Sequence, residues 1–538
     1  MNHNSNTNLF PFLLFSLLAL ILFLSLNLPL LDVDAAQYAH LSKELLKQPN
    51  PLIIKHSGEN YLDKPPLLFW ITAIFFKLFT VQAWVYKIPS LLVFGLGIFA
   101  FYHHIKNKFN PLLAQYTLVF LLSSQAFFML CIDIRTDTML LGWILLSIYF
   151  FDAYFKNQKL KHCIAAFTCM GLAIVTKGPL GLIIPFIFSF FSFLQNKETY
   201  KYKYWDLALG SLILLLVLCP MLYGLYLQWG KEGLYFFFWK QSFGRITGEN
   251  VWSNNYGYFY FFHTILWVIL PWTGIAVLYL LSGNPLAQFK KSNPSFPYFL
   301  SFLLIFFFMS LSKYKLPHYI FPSIPFLAVS VSVFTSRIKP HLLKHLLRFH
   351  IFLQISIIIT SLLFLLSYSN FMGYLAVLSS LFFFFWTYRF SCSDAKKLQN
   401  RMLSISMSIV LFLGFQFYPF LNQFHSGYHA AQDVNHNKIN TEILVFNHIS
   451  NSFEFYCHAP TLRINTLEDL WIHARSNQLV ITNEEGMSKI KSSSLEFKMV
   501  KTYKHYHISK FKPKFLVPSK RKELLENIYL LELKSILG

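Results

Sequence analysis

Charge is what this chain has least of. Of its 538 residues only 13% are Asp, Glu, Lys or Arg, while 55% are hydrophobic. That balance leaves too much apolar surface for a single soluble core and excludes an ordinary water-soluble enzyme. Cysteine is scarce as well. The six (131, 163, 169, 219, 392 and 457) show no C-x-x-C or metal-type spacing, and most lie in apolar runs. A disulfide framework and a cysteine-based zinc site are therefore excluded. There is no internal repeat and no low-complexity linker. Acids are outnumbered, 24 against 46 Lys plus Arg, for a net charge of +22. In a soluble chain that excess would suggest nucleic acid; here the basic residues gather in short loops between apolar runs, which is a topology signal and implies no nucleic-acid partner.

What is abundant is the long apolar run. Windows at 10–31, 86–104, 112–131, 137–155, 161–176, 178–195, 206–227, 257–281, 296–312, 316–336, 349–367, 371–388 and 402–420 predict about thirteen membrane spans. The first is too long for the apolar core of a signal peptide and lacks a small-residue cleavage site, so it is expected to be retained. The segment 64–79 is short and begins at a double proline, which suits an interfacial or re-entrant helix. With the N-terminus in the cytoplasm, the loops at 103–110, 156–162, 196–205, 288–293, 337–348 and 389–401 all face inward, and all are basic. The opposite side receives Asp32, Asp34, Asp133, Asp137, Glu232 and Glu249. The expectation is thus an α-helical polytopic membrane protein: a transmembrane domain over 1–420 whose first outer loop is 32–85, and an outside tail over 421–538. In the tail, short alternating runs such as EILVFNHI and QLVITNEEGMSKI predict a small soluble α/β domain.

The chemistry-bearing residues collect on the outer side. Asp32 and Asp34 close the first span. Tyr61, Asp63 and Lys64 lie in NYLDKPP, and Asp133, Arg135 and Asp137 in CIDIRTDTML. Lys177 stands in TKGPLG, Lys240 and Arg245 in FFWKQSFGRITGEN, and Lys315, His318 and Tyr319 in LSKYKLPHY. Each has an ordinary explanation: an aspartate solvating a helix end, a lysine snorkelling from a span, an arginine in a structural ion pair. Their co-location carries the argument. Acids and cations from separate loops make an interfacial cavity suited to an anionic lipid head group, with a second reactant arriving from water. Paired acids hold a divalent cation or act as a general base, and Lys or Arg stabilise a departing phosphate.

The order VDAAQYAHLSKELL, DKPPLLFW, KIPSLL, RTDTMLL, TKGPLGLIIP, GRITG, SKYKLPHYIFPSIPFLA resembles the bacterial GT-C glycosyltransferases of the protein O-mannosyltransferase-like and 4-amino-4-deoxy-L-arabinose lipid A transferase-like family. The resemblance runs from the first span to about residue 335. It implies a polyprenyl-phosphate sugar donor, a lipid A-like, glycan or protein acceptor, and a periplasmic active site in the bacterial inner membrane, with the C-terminus periplasmic. It also implies roles. Asp34 is the catalytic or metal-binding acid, with Asp137 as second acid and metal partner and Lys64 as a catalytic contact to the phosphate. Lys64, Arg245, Lys315 and Tyr319 bind the donor phosphate, and Tyr38, Tyr61, Asp63, Asp133 and Arg135 contact substrate. A divalent cation (Mg, Mn or Zn) is expected at Asp34 and Asp137. The chain departs from the arabinose transferases at Ala35, Gln37, Gln241 and Ser242, so the reaction class is implied while sugar and acceptor stay open. The runner-up expectation is a transporter or flippase of lipid-linked sugars.

Overall fold

A computed structural model describes residues 9–244, 254, 256–282, 289–389, 394–508 and 511–534. The first half is a run of helices: α1 (Leu9–Asn27), α2 (Asp34–Leu45), α3 (Leu67–Leu78), α4 (Ala83–Lys108), α5 (Pro111–Ser123), α6 (Gln125–Ile132), α7 (Thr136–Asn157), α8 (Leu160–Lys177), α9 (Leu180–Gln195) and α10 (Tyr204–Tyr235). A two-stranded ribbon, β1 (Lys55–His56) with β2 (Glu59–Asn60), lies in the first loop.

Helix boundaries follow local chemistry. The Asn110 side chain accepts from the Leu113 amide, and Pro111 occupies the first turn of α5, where its missing N–H costs nothing. Ser124 caps α6 through the Phe127 amide. The two helices are bent by 55° at that serine. Between α8 and α9 the chain reverses in Lys177-Gly178-Pro179, with Gly178 at φ +91°, a conformation that carries no Cβ penalty for glycine.

Helix α7 packs between α4 and α8. Its approach to α4 is close because Gly142 has no side chain: a Cβ there would stand 2.4 Å from the Val93 carbonyl oxygen. Small residues at such crossings let backbones meet inside a membrane, where dispersion contacts replace the hydrophobic drive between helices.

Among the described residues nine helices are long and apolar enough to cross a membrane, ten when the bent pair α5 and α6 is one span. By that measure of length the other three of the thirteen expected windows fall on shorter apolar helices. Two expected windows fall on helices of 16 residues, α9 and Phe296–Leu311. Another is broken into Tyr260–Val268 and Thr273–Ser282. Hydropathy detects an apolar run but does not see the break within it. The segment after the double proline is the 12-residue α3, an apolar helix too short to span at 1.5 Å per residue.

The tail forms a five-stranded sheet in the order β4 (Thr461–Ile464), β3 (Ile443–Phe446), β5 (Leu479–Thr482), β7 (Glu526–Leu533), β6 (Phe497–His505). Strands β4, β3 and β5 are parallel, while β7 and β6 add antiparallel. β3 and β5 are buried along their whole length, as central strands covered on both faces must be, and their sequences ILVF and LVIT read accordingly. Short helices follow the strands, each capped by the residue before it: Ser450, Thr466 and Asn483.

Candidate active site

The polar residues of the first loop, the α6–α7 turn and the Lys315–Tyr319 segment meet at one end of the helix bundle. Asp34 opens α2, and its Oδ2 accepts from Arg135 at 2.5 Å. Arg135 immediately precedes α7, and its Nε and second terminal nitrogen also hold Asp133, each at 2.8 Å. Burial opposes the arginine's charge, but Asp133 and Asp34 beside it hold its pKa above the usual value. Tyr38, one turn after Asp34, is buried; that burial, with Asp34, Tyr61 and Asp63 nearby, keeps its phenol well above its usual pKa and so protonated. The Tyr61 phenol is raised in the same way, by burial first and then by Asp63 and Asp34.

A second set of pairs stands alongside. Lys64 donates to Asp63 at 2.5 Å. Asp137, in the first turn of α7, is buried and paired with Lys177; His318 Nε2 is 3.7 Å from its other oxygen. The Lys177 ammonium also lies 5.0 Å above the Tyr319 ring. His318 is within electrostatic reach of Arg135, Lys177, Asp34 and Lys64, which ties the two sets into one site.

Beside them opens a cavity of about 270 Å³. Its walls are Leu180, Ile183, Ile184 and Ile187 of α9 facing Ile305, Phe308 and Met309 of the helix Phe296–Leu311; Asp63, Lys64, Asp137, Lys177 and Tyr319 line its polar part. A much smaller cavity of about 20 Å³ shares Lys64, Pro65 and Phe237 with it and continues toward Tyr61 and Gln228. An apolar trough ending in ammonium groups is built to receive a long hydrocarbon chain carrying an anion.

Lys315 is not among the cavity-lining residues. Its ammonium donates to the Ser312 and Tyr256 carbonyls and lies 5.5 Å from the Tyr258 ring. Of the two acids expected at a metal, Asp34 is held by Arg135 and Asp137 by Lys177. Among the described residues, the one group of three ligand-type side chains within 4.8 Å of one another is His40, His56 and Glu454. Arg463 is bonded to Glu454 and lies 3.2 Å from His56 Nε2, so a guanidinium already faces two of the three. Arg245 lies outside the described residues.

Lys177 and His318 receive a place at Asp137 that the sequence reading did not give them. The available signal was the position of Lys177 at the end of an apolar helix, directly before Gly-Pro. Asp32, read as a residue that solvates a helix end, instead faces the tail domain half-buried, its Oδ1 accepting from the Ser452 amide at 2.9 Å.

Residues 63–223 match the family described as dolichyl-phosphate-mannose-protein mannosyltransferase, a stretch that holds Asp63, Lys64, Asp133, Arg135, Asp137 and Lys177. The chain is 26% identical over 297 residues to the undecaprenyl phosphate-alpha-4-amino-4-deoxy-L-arabinose arabinosyl transferase of Wigglesworthia glossinidia brevipalpis, covering 54% of this chain and 52% of that one. It is 28% identical over 306 residues to an uncharacterized protein of Aquifex aeolicus, covering 55% and 58%. The chain thus spans about half the length of the curated relatives it matches. In fold it is similar to ArnT from Cupriavidus metallidurans in its crystal structure with undecaprenyl phosphate bound, with a TM-score of 0.77 at 17% identity over 98% of both chains. The apo form of that protein gives 0.76 at 18% identity over 96% and 97%. This is a multi-pass membrane protein similar to the GT-C transferases of the mannosyltransferase and aminoarabinose-transferase kind, in sequence over about half its length and in fold over nearly all of it.

Proposed function

We propose that this protein is a membrane glycosyltransferase that moves a sugar from a polyprenyl-phosphate donor to a hydroxyl of a lipid A-like, glycan or protein acceptor on the periplasmic face, with inversion. The observation that carries this reading is the apolar cavity whose polar part holds Lys64, Lys177 and Tyr319 next to the Asp34–Arg135–Asp133 group. The polyprenyl tail lies between α9 and the helix Phe296–Leu311. Its phosphate meets Lys64, with Arg245 and Tyr319 as further contacts.

In the transfer step the acceptor oxygen attacks the anomeric carbon as the carbon–oxygen bond to the phosphate breaks. The bonding pair leaves on the phosphate oxygen, and the hydroxyl proton passes to Asp34. Arg135 fixes the orientation of that carboxylate, and Asp133 fixes Arg135. Tyr38, Tyr61 and Asp63 line the approach of the sugar. The main catalytic demand is the charge growing on the leaving phosphate, which the ammonium groups meet in a partly dry site. A divalent cation at Asp34 and Asp137 would have to displace Arg135 and Lys177, so transfer is expected to survive EDTA; its loss would restore a metal to the mechanism.

The orientation proposed is N-terminus cytoplasmic and C-terminus periplasmic, supported by the basic loops on the other side. Purified protein in vesicles, given a labelled polyprenyl-phosphate sugar and acceptor lipid, is expected to label the acceptor. Relocation of unaltered donor across the bilayer without transfer would make it a flippase instead. Asp34→Asn is expected to lower turnover by at least about 100-fold, the usual scale for a lost general base. Near-wild-type turnover in a correctly inserted variant would remove Asp34 from the mechanism.

A further inference from the structure

The six-residue helix Asn451–Tyr456 of the tail domain lies against α2, and both of its ends are held by the first loop. At its start, Asp32 Oδ1 accepts from the Ser452 amide at 2.9 Å, with Ser450 Oγ 3.5 Å from Oδ2. At its end, the Lys43 ammonium donates to three carbonyl oxygens: Glu454 at 3.0 Å, Phe455 at 3.0 Å and Cys457 at 2.7 Å. The Tyr456 hydroxyl adds a third tie, accepting from the Leu30 amide at 2.8 Å. These are the backbone groups that a short helix leaves without internal partners. They are satisfied here from another domain, by a carboxylate and an ammonium that are themselves half-buried.

The placement of the ties along the chain gives them their meaning. Asp32 is two residues before Asp34, and Lys43 is on the same helix α2 that Asp34 opens. At 1.5 Å per residue, nine residues put Lys43 about 14 Å along the axis from Asp34. Asp34 is thus bracketed by two polar anchors to one rigid piece of the tail. Apolar packing, such as Phe76 on Phe455, would suffice to dock the two parts. Buried charged groups add little net stability, whereas directional bonds of this kind fix one register among many.

We propose that the C-terminal α/β unit is a positioning element for the active site, holding α2, and through it Asp34, in the orientation that Arg135 completes. Asp32 and Lys43 are the positioning residues; neither touches the reacting atoms. The inference rests on the reading of Asp34 as the base of the transfer.

The test uses the full-length protein in detergent or nanodiscs. Lys43→Met keeps the aliphatic stem and removes all three donors; Asp32→Ala removes the other anchor; the near-isosteric Asp32→Asn serves as a variant expected to fold. Amide hydrogen exchange should rise in residues 34–45 of Lys43→Met and not in α7. Turnover should fall by at least about tenfold while affinity for undecaprenyl phosphate stays within about twofold, because a misplacement near 1 Å penalises the reaction rather than donor binding. Lys43→Arg should recover part of the turnover. Unchanged exchange in 34–45 overturns the proposal, as does raised exchange with wild-type turnover, and so does a parallel loss of turnover and donor affinity. If the wild-type protein transfers no sugar, the glycosyltransferase reading fails, while the exchange measurement needs no substrate and still decides whether the tail holds α2.

Discussion

Asp137 shows how a buried charge constrains its neighbours. Its side chain is 4% exposed and that of Lys177 8%, so neither ion is solvated by bulk water. Removing one partner leaves the other as an unpaired charge in a low-dielectric site, at a cost of about 3–5 kcal/mol. Lys177→Met is therefore expected to lower the thermal midpoint sharply in detergent, and Lys177→Met with Asp137→Asn to restore part of it. Additive losses in the pair of variants would show that the two side chains are not partners. Lys64 differs: at 17% exposure and paired with a more exposed Asp63, it can exchange its carboxylate for a phosphate, which a fully enclosed pair cannot do. The residue types of the site were legible in the sequence because each lies in a short motif at the edge of an apolar run. Their pairing was not. The structure gives Arg135 two partners, Asp133 and Asp34, the latter 101 residues earlier.

At the scale of elements, the cavity exists because α8 and α9 reverse at Gly178-Pro179 and place Lys177 at its polar part. The crossing of α4 and α7 sets the position of Asp137. Gly142 is the contact point: a Cβ there meets the Val93 carbonyl oxygen at 2.4 Å and the Phe94 amide nitrogen at 2.8 Å. These are backbone atoms, which cannot swing away as a side chain would. Gly142→Ala is expected to force the helices apart, destabilising the protein by about 1–3 kcal/mol as overpacking does. A thermal midpoint equal to wild type in that variant would contradict the crossing. Periodicity and hydropathy located these helices well, including the short α3 behind its double proline. They did not show where a helix is broken, as at Tyr260–Val268 and Thr273–Ser282, because an apolar average is blind to backbone direction.

At the scale of the whole molecule, the first loop and the tail domain meet across a band rich in histidine. Burial, followed by the Arg463 charge, pushes His56 down to about 4, although its bond to Asn451 works the other way. Burial, His507 and Arg463 bring His448 to about 4. His505 is held at about 4 by burial, against the pull of Asp32. All three lie below the ordinary 6.5, so the separated or unfolded state binds more protons between pH 4 and 6.5. Their contribution to stability is present above about 6.5 and is lost as pH falls toward 4. Asp32, raised by burial, acts in the opposite sense, since the docked state keeps its proton to higher pH than the free carboxyl. Glu44, raised by burial, acts with Asp32, and His40, held well below its usual value by burial and then His56, acts with the three histidines; two acids oppose four histidines. The tail is therefore expected to exchange amide hydrogens faster at pH 5 than at pH 7.5, after correction for intrinsic rates. Slower or equal corrected exchange at pH 5 would show that the histidines do not sense docking.

The sequence by itself determined that the chain is a multi-pass membrane protein, roughly where its helices begin and end, and that short strands and helices follow them. Those properties are local: composition, periodicity, capping residues and turns act over a few neighbours. Only the tertiary structure decided which acid meets which base, that Lys315 turns to carbonyls, that the trough lies between α9 and the helix Phe296–Leu311, and that Asp32 serves the tail at Ser452, 420 residues away. Electrostatic and hydrogen-bond partners are chosen by distance through space, falling off within a few ångströms, and a one-dimensional order carries no measure of that distance.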